Sequence, residues 1–145
     1  MHWLAQKLDA LHDLARRFVA LRSEPARPES EPLVRRARND FHQAIRGLVD
    51  EVTQRRGVTA SFASHEGLII AVAGKCQPGD EEAWAAMAQV CLSYSERTAT
   101  TLSLGHTQQI VIVGASGKLV LFPIESMVLG VLSPTGVSLS EVLAA

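Results

Sequence analysis

The sequence contains little of what builds covalent frameworks, metal sites or membrane spans. Only two of its 145 residues are cysteines, Cys76 and Cys91, which argues against a disulfide framework or a cysteine-based zinc site. No apolar run approaches the ~20 residues that span a bilayer, and Lys7 and Asp9 interrupt any signal-peptide pattern. The net charge of −1 gives no reason to expect nucleic acid as a partner. We therefore expect a cytoplasmic protein without membrane insertion.

The charge that is present is divided unevenly along the chain. Residues 1–56 hold 11 Lys/Arg against 8 Asp/Glu, whereas residues 57–145 hold 3 against 7. Solvated helix faces produce such a distribution, and this is the plainer interpretation. A basic arm that folds back, pairs with a second copy or meets an acidic partner is the sharper alternative.

The residues that usually carry chemistry form no recognisable motif. The histidines lack the i, i+3 or i, i+4 spacing of helical metal ligands; they are His2, His12, His42, His65 and His106. Residues 114–118 have neither the glycine spacing of a phosphate loop nor that of a nucleophile elbow, so a hairpin turn is the better interpretation. Cys91 falls on an apolar stripe, and Cys76 has only Lys75 as an activating neighbour. We expect no catalytic residue, no metal and no cofactor.

An amphipathic helix is expected at the N-terminus. Its apolar seam steps by three or four positions, as one face of a helix requires, and consists of Leu4, Leu8, Leu11, Ala15 and Phe18. Prolines within residues 25–32 then end the helix. We divide the chain into an N-terminal helix (1–23), a Pro-rich linker (24–32) and a domain (33–145). The seam is expected to pack on the chain's own body or on a second copy, with partner docking as the alternative.

The domain alternates helical and strand patterns. We expect first a helix over 33–55 that Gly57 ends, and then strands at 58–64 and 68–73 joined by a tight turn at His65-Glu66-Gly67. A helix over 81–102 follows, with Asp80 as its N-cap, and after it come strands at 108–113, 118–124 and 127–132. A capping box of Ser138 and Glu141 opens a short final helix. Adjacent apolar positions in the later strands predict helices on both faces of the sheet. Pro123 is expected near a strand end or on an edge.

The helix over 81–102 has more apolar surface than one neighbour can cover. One apolar stripe consists of Trp84, Met87, Cys91, Tyr94, Thr98 and Leu102. Four further small or apolar residues lie off that stripe, namely Ala83, Ala86, Val90 and Leu92. We therefore expect the sheet on one side of this helix and a second neighbour on the other.

This order of elements resembles the roadblock / dynein light chain family, including its bacterial, MglB-like members. The supporting motifs are Gly57-Val58-Thr59-Ala60, Ser64-His65-Glu66-Gly67-Leu68, the Ala-rich helix 82–92, the strand 117–124 and the segment 129–132. The family typically writes its first hairpin as Ser-x-Asp-Gly-hydrophobic, whereas His65-Glu66 precedes Gly67 here. The resemblance covers residues 33–144.

The resemblance implies a fold and a mode of assembly. The fold is α/β (α+β), a five-stranded, mostly antiparallel sheet with helices on both faces, to which this chain adds its N-terminal amphipathic helix. Members of the family form homodimers in which the third strands of two copies pair edge to edge and the central helices lie side by side. By this analogy residues 108–113 form the pairing edge, and an interior strand of a monomer remains the alternative.

The resemblance also implies a function without catalysis. We expect a homodimeric regulator or scaffold of a small Ras-like GTPase, which docks across the paired helices. A structural adaptor or light-chain-type subunit that docks a larger protein through its N-terminal helix is the alternative. The candidate interface residues are Ala83, Ala86, Val90, Ser93, Arg97, Gln108, Ile110 and Ile112, and those of the docking helix are Leu4, Leu8, Leu11 and Phe18. Arg97 could instead form an ordinary surface salt bridge. A small-molecule pocket within the strands has no supporting polar cluster.

Overall fold

The structure, a computed structural model, describes residues 2–23 and 31–144. Within these residues the elements are α1 (His2–Ser23), α2 (Glu31–Gln54), β1 (Ala60–His65), β2 (Leu68–Gly74), α3 (Asp80–Thr101), β3 (Ile110–Val113), β4 (Lys118–Ile124), β5 (Met127–Ser133) and α4 (Leu139–Val142). The expected order of helices and strands is confirmed.

The five strands form one sheet in the order β2-β1-β5-β4-β3, with every neighbouring pair antiparallel. Helices α1 and α2 cover one face and α3 covers the other. The sheet therefore has helices on both faces, as its adjacent apolar positions predict. Pro123 pairs with Val128 of β5, but β3 reaches only as far as Leu121, so no strand needs an amide hydrogen from Pro123 on that side.

Two hydrophobic cores lie on opposite faces of the sheet. The larger lies beneath α1 and α2, and its buried residues include Leu4, Leu11, Phe41, Ile45, Leu48, Val52, Phe122, Leu129 and Val131. The smaller lies beneath α3 and is formed by Phe62, Ala88, Leu121 and Val128. The fully buried residues of α3 are alanines, and Trp84 of the same helix packs on this core with its ring centroid 5.7 Å from that of Phe62.

Helix α1 is fixed at both of its ends. At its start, the Trp3 and Leu4 amides each donate to a carbonyl after α4, Ala144 O and Leu143 O, over 3.4 Å. The Arg55 guanidinium lies 3.8 Å from the centroid of the Trp3 ring, which is cation–π distance. Towards its other end, the Phe18 ring stacks on Phe41 of α2 with centroids 6.3 Å apart. The N-terminal helix is thus an integral layer of the fold.

Four of the expected element boundaries are wrong, and one of them is the start of β1, which lies at Ala60 instead of residue 58. Glu31 and Pro32 belong to the first turn of α2, where proline is tolerated because its missing amide hydrogen would have no partner; the expected linker residues 24–30 lie outside the described part. Asp80 is the first helical residue rather than the N-cap, and its carboxylate accepts from the Gln77 amide over 3.0 Å. Strand β3 begins at Ile110 instead of residue 108.

The expected capping box before α4 is also wrong. The Ser138 side chain makes no hydrogen bond to the backbone of that helix. Its hydroxyl lies 3.0 Å from the hydroxyl of Ser140, and this side-chain pair replaces the cap. The His65-Glu66-Gly67 turn is confirmed, since Glu66 and Gly67 have φ values of 51° and 81°, as the two central residues of a type I′ hairpin require.

Candidate interaction surface

The described residues with potentially reactive side chains either form structural contacts or lie apart from one another. No group of three or more His, Cys, Asp or Glu side chains that could hold a metal ion occurs in residues 2–23 and 31–144. Partial burial, followed by the carboxylates of Glu81 and Asp80, raises the pKa of the Cys76 thiol, which disfavours the nucleophilic thiolate. Cys91 is half-buried and packs beside the core under α3.

The Gly114–Lys118 segment forms the turn between β3 and β4. The Gly114 amide donates to the Gly117 carbonyl over 2.8 Å, which closes the hairpin. The Lys118 ammonium donates to the Val137 carbonyl, also over 2.8 Å, and so anchors the C-terminal segment. The lysine that made this segment superficially similar to a phosphate loop therefore stabilises the fold.

Strand β3 is an unpaired edge of the sheet. In an antiparallel pair, hydrogen-bonded and non-hydrogen-bonded positions alternate. Because Gly114 and Gly117 form a hydrogen-bonded pair, Ile112 points its amide and carbonyl at β4, while Val111 and Val113 point theirs away from it. The side chains of Val111, Ile112 and Val113 are 51%, 45% and 65% exposed. An apolar strand with free backbone groups is a template for pairing with another chain.

The opposite edge, β2, is less suited to pairing. Between the Ser64–Ile69 and Ala63–Ala71 pairs its register shifts, which leaves Ile70 as an extra residue in a bulge. Bulges twist an edge away from potential partners and are a common protection against strand addition. Strand β3 has no such irregularity. The sheet thus has one protected edge and one open edge.

The outward face of α3 continues the open surface. Five of the expected interface residues step by three or four positions and are exposed along that face: Ala83, Ala86, Val90, Ser93 and Arg97. Met87 and Tyr94, which are 57% and 63% exposed, lie between them. The Arg97 guanidinium lies 5.8 Å from the Tyr94 ring centroid, so this arginine covers an aromatic ring.

The apolar stripe of α3 is divided between the sheet and the surface. Trp84 and Cys91 pack towards the sheet, but Met87, Tyr94, Thr98 and Leu102 are exposed. The buried axis of the helix instead runs through Ala85, Ala88 and Ala99. The spacing alone does not assign either side of the helix to the sheet, because the buried alanines are too small to dominate an apolar pattern.

The remaining expected interface residues lie at or near β3. Gln108 is exposed and precedes the strand, Ile112 is exposed within it, and Ile110 is half-buried against the core under α3. An open groove of about 630 Å³ separates the C-terminal half of α3 from β3 and is lined by Tyr94, Thr98, Ile110 and Val111, among others. The buried Thr107 hydroxyl also lines this groove and has no hydrogen-bond partner within the described residues.

The residues expected to dock a partner through α1 face the chain's own body. Leu4 and Leu11 are 0% and 4% exposed, and Leu8 and Phe18 are half-buried. They pack against α2 and the sheet within the larger core. None of the described helices is long and apolar enough to cross a membrane.

Comparisons with known proteins agree with this architecture. The family model of the Roadblock/LC7 domain matches residues 45–133. Among solved structures, Myxococcus xanthus MglB has a TM-score of 0.64 at 20% identity, covering 71% of this chain and 78% of its own. A Roadblock/LC7 domain from Streptomyces avermitilis has a TM-score of 0.62 at 18% identity, with 68% and 85% covered.

A third solved structure, the gliding protein mglB from Thermus thermophilus, has a TM-score of 0.59 at 16% identity and covers 66% of this chain and 75% of its own. At such identities the likeness is one of fold. No curated protein matches the sequence significantly. The family match spans more than half of the chain and includes every strand of the sheet. The chain belongs to the Roadblock/LC7 family.

Proposed function

We propose that the chain is a homodimeric, non-catalytic regulator or scaffold of a small Ras-like GTPase. The observation that carries the proposal is the continuous surface formed by the open β3 edge and the exposed apolar face of α3. Soluble monomers rarely keep contiguous apolar surface of this kind without a partner. The structural likeness to MglB proteins supports the choice of a GTPase as partner by analogy of fold, which is a weaker support.

The dimer joins two copies through β3. Antiparallel pairing of two β3 strands satisfies the outward amides and carbonyls of Val111 and Val113 and extends the sheet across both copies. The groove beside Thr107 lies next to that seam and is narrowed by the second copy. The protected edge at β2 ends the extended sheet on either side, so assembly stops at two copies through this contact.

The paired α3 helices form the platform on which the GTPase docks. Small residues at Ala83, Ala86 and Ser93 allow close approach of a partner backbone, and Val90 and Tyr94 supply apolar anchors. Arg97 supplies a cation at the same face. The chain contributes no catalytic group, so any change in hydrolysis comes from preferential binding to one conformation of the GTPase switch segments.

Binding of a nucleotide-loaded small Ras-like GTPase from the same genome tests the proposal. We expect binding that differs between the GDP-bound and GTP-analogue-bound forms, or a change in the hydrolysis rate. Val90→Glu should weaken binding at least about tenfold, since it places a charge at the centre of an apolar contact. Leu33→Glu, an equally drastic change at an exposed residue of α2, is the control. A purified dimer that neither binds the GTPase nor alters its hydrolysis would refute the proposal.

The alternative function, docking of a larger protein through α1, is not favoured by the contacts of that helix. Its apolar seam is occupied by the chain's own core. A partner could use the seam only if α1 left the body and exposed Phe41, Ile45 and Leu48. Removal of residues 1–30 would also expose that core, so Val90→Glu on α3 separates the two functions better: the GTPase platform lies on the other face of the sheet, and docking through α1 should be unaffected.

A further inference from the structure

We propose that a second docking site lies on the α1–α2 face of the molecule and accepts an acidic segment of a partner protein that inserts one large apolar side chain into a cavity beside α2. The site is distinct from the α3 platform, because the two lie on opposite faces of the sheet. Nothing in it depends on whether the α3 partner is a GTPase.

The first component is an apolar cavity of about 310 Å³ between the α1–α2 hairpin and two turns of the sheet. Its apolar lining comes from Phe18, Phe41, Leu68, Ile69, Ile70 and Met127. Leu68, at the start of β2, is 73% exposed, so part of its side chain forms apolar surface beside the mouth of the cavity. The volume is at the small end of ligand sites, which span roughly 300–1,000 Å³, and is large enough to admit a large apolar side chain such as Leu or Phe.

The second component is a basic stripe along α2. Arg35, Arg38, His42 and Arg46 are spaced by three, four and four residues, so they share one helical face. His42 lines the cavity. Arg38 and Arg46 lie one helical turn to either side of His42, so both are neighbours of the cavity wall. Consistent with this, burial and then the charges of Arg46 and Arg38 lower the pKa of His42.

The arginines of the stripe are available for a partner. Among the described residues, Arg35, Arg38 and Arg46 form no ion pair. The carboxylate that does line the cavity, Glu125, is already engaged: its oxygen lies 3.3 Å from His12 Nδ1 and 3.5 Å from Arg16 Nε. His65 is engaged as well, since its Nδ1 lies 3.2 Å from the carbonyl oxygen and 3.1 Å from the hydroxyl of Ser126. Glu31 and Asp50 lie one helical turn from Arg35 and Arg46, but neither is within ion-pair distance of them, so the three guanidinium groups can pair with a partner.

The dimensions favour a polypeptide over a small amphiphile. From Arg35 to Arg46 the stripe extends along about 16 Å of helix at ~1.5 Å per residue. One anionic head group cannot reach arginines at both ends of that distance. A peptide segment with several carboxylates can pair with all of them while a single apolar side chain fills the cavity.

A labelled synthetic peptide tests the proposal on the full-length chain by fluorescence anisotropy. The probe is a short Glu-rich peptide with one central Leu. One matched peptide has Lys in place of every Glu, and the other has Ala in place of the Leu. We expect the Glu/Leu peptide to bind and both matched peptides to bind at least about tenfold more weakly. The affinity should fall as salt is raised, because exposed ion pairs are screened.

Variants of the chain locate the binding. Arg38→Glu combined with Arg46→Glu should weaken binding of the Glu/Leu peptide at least about tenfold. Leu68→Glu should weaken binding to the same extent, because it changes the residue at the mouth of the cavity. Arg36→Glu makes the same charge change on another face of α2 and is the matched control. Circular dichroism confirms that each variant is folded. Failure of the Glu/Leu peptide to bind, or equal weakening by Arg36→Glu, would overturn the proposal.

Other occupants of the site give different results, and each would also overturn the proposal. If the chain's own connector, with Glu24 and Glu29, fills the site, replacing residues 24–30 by a neutral Gly-Ser segment will strengthen peptide binding markedly. If a second copy fills it, the Arg38→Glu and Arg46→Glu changes will reduce the molecular mass measured by light scattering. If the cavity holds a small amphiphile, dodecanoate will bind while all three peptides fail.

Discussion

Gly130 lies in the middle of β5, directly across from Phe62 of β1. A Cβ atom at this position would lie 2.3 Å from Cε1 of the Phe62 ring, far inside van der Waals contact. The ring is almost completely buried in the core under α3 and cannot move without disturbing that core. The φ of Gly130 is not in the left-handed region, so backbone conformation does not require glycine here. The position requires glycine because a side chain has no space.

Gly130→Ala should therefore lower the free energy of unfolding by about 1–3 kcal/mol, the usual range for overpacking. Gly136→Ala is the control, since a Cβ there meets nothing within 4 Å. Chemical denaturation measures both. Combining Gly130→Ala with Phe62→Leu should show coupling, with the double variant less destabilised than the sum of the two. Equal effects of the two glycine changes would contradict the steric explanation.

His42 makes the stability of the fold depend on pH. Its pKa in the folded chain is lowered from the usual value of about 6.5, first by burial and then by Arg46, Arg38 and His65. The unfolded chain therefore binds the proton more tightly than the folded chain. It follows that His42 reduces stability fully below its folded-state pKa, and that the reduction disappears as the pH rises past the unfolded value.

We expect His42→Gln to flatten the increase in stability that accompanies a rise in pH from about 5 to about 7. The variant should gain stability relative to the native sequence only at the acidic end. Thermal denaturation over this range is the measurement, and His106→Gln is the control because the His106 side chain is fully exposed. Parallel curves for the native chain and His42→Gln would show that this histidine does not contribute.

Among the elements, α1 lies outside the part of the chain that the family model matches, since His2–Ser23 precede residues 45–133. Leu11 is 4% exposed between α1 and α2, so its side chain is part of the larger core. Leu11→Ala should cost about 2–5 kcal/mol of unfolding free energy, as for other buried leucines. Leu33→Ala, at a residue 55% exposed, should change stability by less than about 0.5 kcal/mol.

Equal denaturation midpoints for Leu11→Ala and Leu33→Ala would mean that α1 is not bound to the body in solution. Such a result would reopen docking through α1, because the Leu4, Leu8 and Leu11 seam would then be free. The two variants therefore test both the fold and the alternative function. Unchanged slopes of the unfolding curves would indicate that the comparison concerns stability alone.

The periodicity of the sequence identified the helices and strands better than it identified what each of them packs against. The seam of α1 was evident from its spacing, but the same spacing serves intrachain packing and partner docking, so burial of Leu4 and Leu11 could not be predicted from it. In α3 the fully buried positions are alanines, which weigh little in an apolar pattern, so the pattern did not separate the sheet-facing side from the exposed Met87 and Tyr94. Chain order likewise does not reveal which strand lies at the edge.

The second docking site was hidden for a different reason. The arginines of α2 were visible as a basic arm, and a solvated helix face was the plainer interpretation. The cavity that gives Arg38 and Arg46 significance is lined by α1, α2 and two turns distant in the sequence, including Leu68 and Met127. Only the packed structure brings these residues beside the stripe, so no local pattern could have indicated the site.

At the scale of the whole molecule, the two edges of the sheet differ, and the proposed dimer depends on this difference. Strand β2 is interrupted by the bulge at Ile70, whereas β3 is regular and exposes an apolar side. The α3 platform lies beside β3, and the basic stripe of α2 lies across the sheet from α3. A dimer through β3 therefore leaves two copies of the basic stripe free while it joins two α3 faces into one surface.

Val111→Pro should convert the dimer to a monomer without unfolding the chain. Val111 points its amide away from β4, so proline removes a hydrogen bond to the second copy and leaves the hairpin with β4 intact. Light scattering should give twice the 15.7 kDa chain mass for the native protein and a single chain mass for the variant. Val111→Thr keeps the amide and the β-branched shape and should remain dimeric. A Val111→Pro protein that stays folded and dimeric would exclude β3 as the pairing edge, and with it the joined α3 platform.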